Sequence, residues 1–132
     1  MISRPESLTS LLALTALTSA GLVTVSSAAE ACTVENGRGW ARGGGNGTLV
    51  MAKGGKNCGG SLWVIPEARL PVTSLQVTSP PASGRVTTRG NSYQYTPKAG
   101  FVGHDSFSLS GTGKDQNGDT VTLTGNIAVT VQ

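Results

Sequence analysis

The sequence predicts an all-β protein, a two-layer β-sandwich of about seven strands, preceded by a cleaved signal peptide. After residue 31, apolar and polar residues alternate repeatedly with the period of two that strands require, and no stretch has apolar residues at helical spacing. Turn-forming residues separate these stretches at short intervals. We divide the chain into a signal peptide at 1–31, a Gly-rich segment with the first strand at 32–60, and the rest of the sandwich at 61–132.

The N-terminal segment has the layout of a secretory signal peptide. Residues 8–25 carry no charge and are largely apolar, and small residues follow. Cleavage after Ala29 or after Ala31 satisfies the small-x-small rule. The alternatives are an uncleaved anchor, disfavoured by the Ser and Thr residues in the apolar stretch, and a lipid on Cys32, disfavoured by the charge of Glu30. We expect export to the periplasm or the extracellular space, without membrane insertion after cleavage.

The two cysteines, Cys32 and Cys58, predict a disulfide, because exported chains with an even number of cysteines form such bonds in oxidising compartments. The bond would close a loop of 27 residues. Loop-closure entropy gives it a stabilisation of about 3.5 kcal/mol. A reactive thiol is the alternative, but it needs a neighbouring His or helix N-terminus, which the sequence does not offer.

The segment between residues 37 and 60 contains ten glycines in 24 residues. Glycine is costly to order and has no side chain to pack, so we expect a loose segment held by the disulfide. A phosphate-binding loop is the alternative, but the required Gly-Lys-Ser/Thr pattern and a following helix are missing. We expect Trp40 to anchor a weak strand to the core rather than to stack on a ligand.

Alternation places strands at 48–52, 62–65, 73–78, 92–96 and 105–112 and from 119 onwards. Tyr93 and Tyr95 should lie together on one face of their strand, and Phe107 and Leu109 should face inward. In the last run an inward apolar row is interrupted by Gly125, which predicts a bulge or bend where the strand changes sheet. That row is Val121, Leu123, Ile127, Val129 and Val131.

Turns are predicted at 80–84, at 89–91 and at Asn117-Gly118, the last being a strong hairpin signal. Short strands with such frequent turns are typical of an immunoglobulin-type sandwich.

Three linked motifs at Ser79–Val86, Ser92–Pro97 and Gly100–Phe107, followed by an Asp-x-Asn-Gly hairpin, resemble a known pattern. Residues 75–131 resemble the bacterial Ig-like and cadherin-like domains that occur in tandem in surface and secreted proteins. The resemblance implies an Ig-like sandwich. Within these motifs we expect Asp105 to accept hydrogen bonds from the N–H groups of a turn.

The composition excludes several functional classes. One His and two Cys exclude a multi-histidine or four-cysteine metal site, and a net charge of +3 with scattered Lys and Arg disfavours a nucleic-acid groove. His104 and Asp105 are adjacent, so on a strand they face opposite sides and cannot form a catalytic pair. We expect no cofactor. Asp115–Asp119 should form a hairpin turn, with a calcium loop as the alternative.

We therefore predict an exported, non-catalytic Ig-like module that acts through protein or cell-surface contacts, as a structural or adhesion-type protein. Its partners would be a protein or a cell-surface glycan. The alternative is a glycan-binding module that uses Trp40, Trp63 or the tyrosines for stacking, although Trp63 lies in an apolar strand where core packing is expected. If the last strand lies at an open edge, it could also pair with a partner strand.

Overall fold

The computed structural model describes residues 31–132, so the predicted signal peptide, apart from Ala31, lies outside the described residues. This part of the chain folds into nine strands and one 3-10 turn at Trp40–Arg42. The strands are β1 (Cys32–Glu35), β2 (Gly45–Met51), β3 (Cys58–Ser61), β4 (Trp63–Ile65), β5 (Leu70–Ser79), β6 (Gly84–Arg89), β7 (Ser92–Pro97), β8 (Gly103–Lys114) and β9 (Thr120–Val131). Between residues 31 and 132 no helix is long and apolar enough to cross a membrane.

The strands form two sheets, which confirms the predicted β-sandwich. One sheet has six strands in the order β1-β2-β9-β8-β5-β4, and the other has three in the order β3-β7-β6. The predicted turns are present: residues 80–83 join β5 to β6 across the sheets, Gly90 and Asn91 close the β6–β7 hairpin, and residues 115–119 close the β8–β9 hairpin. The strands not predicted from alternation, β1, β3 and β6, have four to six residues each.

The core lies between the sheets and confirms the predicted inward face of β8. The two tyrosines of β7, predicted to share one face, also point into it. Tyr95 stacks parallel on Phe107 with ring centroids 6.0 Å apart, and Tyr93 meets the same ring edge-on at 5.9 Å. Leu109 is fully buried beside them. Such aromatic contacts add to the stabilisation from burial. Within the described residues no polar or charged residue is buried.

The prediction of a bulge or sheet change at Gly125 is wrong. β9 runs as one strand of 12 residues, and its register with β8 is continuous. Gly125 instead gives space to a large neighbour, since a Cβ atom there would lie 2.7 Å from Cε3 of Trp40. β9 lies between β2 and β8, so the hypothesis that it offers an open edge is also wrong.

The Gly-rich segment is not loose, contrary to expectation. It contains the 3-10 turn, β2 and β3, and β2 pairs in parallel with β9 from Gly45↔Gly125 to Met51↔Val131. Gly45 and Gly47 are buried, and neither site has room for a side chain. Glycine is needed here because it lets backbones and the Trp40 ring approach closely.

The predicted disulfide is confirmed: Cys32 on β1 is bonded to Cys58 on β3, with the Cα atoms 5.6 Å apart. Because β1 and β3 belong to different sheets, the bond fastens the N-terminal strand of one layer to the other. We expect the double substitution Cys32→Ser and Cys58→Ser to lower the free energy of unfolding by about 3 kcal/mol in urea titrations. A loss below about 0.5 kcal/mol, the range of neutral surface changes, would contradict this role.

Because the Trp40 ring packs directly against Gly125, we expect Gly125→Ala to lower the free energy of unfolding by about 2 kcal/mol. The added methyl group would push both the indole ring and the β2 backbone away from β9. Gly44→Ala is the matched control, since no atom lies within 4 Å of the position of its Cβ. Thermal unfolding of the two variants compares them. Equal melting temperatures would contradict the packing of Trp40 against Gly125.

Candidate binding cleft

Asn36, directly after β1, fixes the loop that connects β1 to the 3-10 turn. Its side-chain amide donates to the carbonyl oxygen of Ser61 at 2.6 Å, and the Tyr93 hydroxyl donates to its Oδ1 at 2.6 Å. The indole N–H of Trp40 donates to its main-chain carbonyl oxygen. Burial raises the pKa of Tyr93 to about 12, so the hydroxyl stays protonated and able to donate at neutral pH. One polar residue therefore joins the loop to strands of the smaller sheet.

The fixed loop forms one wall of a cleft of about 280 Å³, and the other wall is the segment around β4. Apolar side chains dominate the lining, and Arg38 is the one charged residue among the described residues that line it. These apolar residues are Trp40, Ala41, Leu62, Trp63, Val64, Pro66 and Leu123. We call this feature the β4 cleft. Its volume is close to the lower limit for small-molecule sites, which is about 300 Å³.

The two tryptophans have different environments in the β4 cleft. Trp40 is only 7% exposed and covers Gly45 and Gly125, which confirms its predicted role as an anchor. Trp63 is half-buried and lies outside the core, so the expectation of core packing is wrong. The reason is that β4 is a three-residue terminal strand, in which Val64 is the residue that packs against the core.

The tyrosines proposed for stacking are not available to a ligand, because Tyr93 and Tyr95 are 1% and 0% exposed. A stacking platform would need two exposed tryptophans on one face. Of the aromatic residues proposed for stacking, only the half-buried Trp63 is left partly open to a ligand.

Asp105 fixes the turn between β5 and β6, as predicted. Its carboxylate accepts hydrogen bonds from the main-chain N–H groups of Ala82, Ser83 and Ser106 at 2.9 Å each and from the Tyr95 hydroxyl at 2.8 Å. Burial by itself would raise the pKa of Asp105, but these hydrogen bonds, the Tyr95 contact foremost, outweigh it and lower the pKa below its ordinary value. All four donors are structural, so this carboxylate is committed to the fold.

His104 does not join Asp105. Its Nδ1 lies 3.2 Å from the Thr130 hydroxyl on the outer face of the large sheet. This placement confirms that the two neighbours face opposite sides of β8.

Asp115 closes the β8–β9 hairpin. Its Oδ1 accepts hydrogen bonds from the N–H groups of Asn117 at 2.8 Å and Asp119 at 2.9 Å, and Gly118 adopts a φ of 82°. The predicted hairpin turn is therefore present. Across residues 31–132 no group of three or more His, Cys, Asp or Glu side chains is placed to hold a metal ion.

Comparison with known proteins identifies the fold family. The bacterial Ig domain profile matches residues 65–130. The chain belongs to the bacterial Ig domain family. The match begins at residue 65, so it covers the strands from β5 to β9 and leaves out the Gly-rich loop and β1–β3. Of the residues that line the β4 cleft, only Pro66 and Leu123 lie within it. No curated protein matches the chain.

The family membership and the disulfide together bear on cellular location and function. A disulfide of this kind persists in oxidising compartments, which is where an exported bacterial Ig domain would be found. A bacterial Ig domain is, in general terms, a structural or protein-contact module. The β4 cleft was not predicted from the sequence, and Asn36, which positions it, gave no signal beyond being a polar residue before a glycine.

Proposed function

We propose that this bacterial Ig domain is an exported, non-catalytic module that acts through protein or cell-surface contacts, as a structural or adhesion-type protein. The observation that supports it best is how the chain uses its ionisable side chains. Asp105 and Asp115 are occupied by main-chain N–H groups, and His104 faces away from Asp105, with its Nδ1 3.2 Å from the Thr130 hydroxyl. Proton transfer needs a positioned acid or base within reach of a substrate. The apolar β4 cleft, in contrast, is open to a partner.

A glycan-binding module is the second candidate. It is favoured by one observation, the half-buried Trp63 in the lining of the β4 cleft. An aromatic ring of this kind can stack on a sugar.

Export is the part of this proposal that is most simply tested. We expect the mature protein to begin at Glu30 or Cys32, because cleavage after Ala29 or Ala31 follows the small-x-small rule. N-terminal sequencing of protein recovered from periplasmic and culture-medium fractions measures this, and the fraction that contains it distinguishes periplasm from extracellular space. Protein that retains Met1 and stays in the cytoplasm would contradict export.

Contact with a partner is tested by chemical crosslinking in the native host. We expect a discrete adduct in the exported fraction that contains a second protein or a surface polymer and that is absent when the crosslinker is omitted. Recovery of the domain as a monomer without any adduct at native expression would contradict a contact function. Incubation of the purified domain with esters, peptides and glycosides as substrates should give no turnover, and turnover proportional to enzyme concentration would contradict the non-catalytic assignment.

A further inference from the structure

We infer that the β4 cleft binds an extended peptide segment of a partner protein, which pairs with the open edge of β4, places an apolar side chain in the cleft and presents a carboxylate to Arg38. This inference rests on the proposed function and names its surface and the class of its partner. Three features of the cleft lead to it: the chemistry of its lining, the position of β4 in the sheet, and its charge.

The lining fits an apolar side chain better than a sugar. Leu62, Val64, Pro66 and Leu123 contribute aliphatic surface, while the amide of Asn36 is engaged at both ends by Ser61 and Tyr93. A sugar ring brings several hydroxyl groups that lose hydrogen bonds to water, and few side-chain polar groups here replace them. An aliphatic or aromatic side chain incurs no such cost, and the cleft volume of about 280 Å³ accommodates one or two of them.

The backbone beside the cleft is open to pairing. β4 is the terminal strand of the six-stranded sheet, so among residues 31–132 one of its two edges has no strand partner. A strand edge of this kind offers N–H and C=O groups to an extended peptide, and alternate side chains of that peptide then enter neighbouring pockets. The cleft and the open edge share β4, because Trp63 and Val64 line the cleft and belong to this three-residue strand.

The charge of the cleft favours one class of extended peptide over others. Arg38 is exposed and lines the cleft, and within residues 31–132 it is the one charged member of the lining. Arg42, also exposed, follows in the 3-10 turn. The favoured partner segment is therefore acidic, because opposite charge at the rim of an interface accelerates binding and rejects partners of like charge.

A phage-displayed library of linear heptapeptides, selected on the purified protein, tests this inference. We expect enrichment of sequences that alternate apolar residues with Asp or Glu. A synthetic copy of an enriched peptide should bind Trp63→Ala at least about tenfold more weakly, because tryptophans at the centre of an interface dominate its affinity. Selection of the same library on the Arg38→Glu variant should enrich peptides that contain Lys or Arg instead of Asp or Glu. Arg85→Glu, which changes an equally exposed arginine on β6 of the other sheet, is the matched control and should leave binding unchanged.

Pairing of the peptide with the open edge of β4 is tested separately, with N-methylated peptides. N-methylation of alternate amides along one edge of the peptide should abolish binding, whereas methylation of the other edge should leave it intact. Equal effects of the two methylation patterns would overturn pairing with β4. The inference would be overturned if no peptide were enriched, or if the enriched peptides bound the Trp63→Ala and Arg38→Glu variants as well as they bind wild type. It would also be overturned if oligosaccharides bound in a way that requires Trp63, or if the protein formed a dimer that Trp63→Ala dissociates. Crosslinks in the native host that persist in Trp63→Ala would leave the proposed function intact and reject only the cleft as its site.

Discussion

Replacing Asp105 with alanine should lower the free energy of unfolding by about 4 kcal/mol, one of the largest effects expected of a single substitution in this domain. The carboxylate accepts four hydrogen bonds, and its loss leaves the hydroxyl of the fully buried Tyr95 without its short acceptor. The β5–β6 turn that joins the two sheets would lose its fixed geometry at the same time. Urea titration at pH 7 measures the change, and Asp119→Ala in the exposed hairpin is the control, expected within about 0.5 kcal/mol of wild type.

The environment of Asp105 also predicts how the stability of the domain depends on pH. The pKa of Asp105 is lower in the folded domain than its ordinary value of about 4, so ionisation of this group favours the folded state above that pH. This contribution is lost as the pH falls through the ordinary pKa towards the folded one. The difference in stability between wild type and Asp105→Ala should therefore shrink as the pH is lowered from 5 towards 2. A difference that stays constant over this range would show that the charge of Asp105 does not stabilise the fold.

Replacing Trp40 with alanine should cost about 4 kcal/mol, typical of truncating a buried tryptophan. Its ring fills the space above Gly45 and Gly125, and its N–H group holds Asn36, so the variant should also lose the ordered loop 36–41. Amide hydrogen exchange in that loop should become much faster, because its protection depends on these contacts.

Trp63→Ala is the matched control for this prediction. Trp63 is half-buried and lies outside the core, so we expect a loss of about 1 kcal/mol or less. Equal losses for the two tryptophans in thermal and urea unfolding would show that Trp40 does not anchor the Gly-rich segment. A small effect at Trp63 also makes this variant suitable for binding experiments, since it leaves the fold intact.

The sequence predicts the sandwich well because its strands from β5 onwards alternate regularly. Tyr93 and Tyr95 share a face and Phe107 and Leu109 point inward, as the period of two predicts, and all four are buried. The role of Asp105 was also predictable, since a short acidic side chain beside a turn commonly accepts its N–H groups.

The Gly-rich half was mispredicted because the relevant contacts are distant in sequence. Gly45 and Gly125 are suited to their positions only when Trp40 packs on both, and glycine propensity cannot reveal that Gly125 packs against a ring 85 residues away. The same holds for the place of β9 in the sheet, because its parallel pairing with β2 joins two ends of the described chain. The prediction that Trp63 packs in the core was wrong because the alternation of apolar and polar residues does not show whether a strand lies at the edge of its sheet.

Site-specific photo-crosslinking in the native host tests most directly whether this bacterial Ig domain acts by binding a protein through the β4 cleft. A photoreactive amino acid at Ala41, which is exposed and lines the cleft, is compared with one at Ala128, which is also exposed and lies on the outer face of β9. We predict that illumination yields a discrete protein adduct from position 41, that Arg38→Glu diminishes it, and that position 128 yields none. Adducts of equal yield from both positions, or no protein adduct from position 41, would contradict the account.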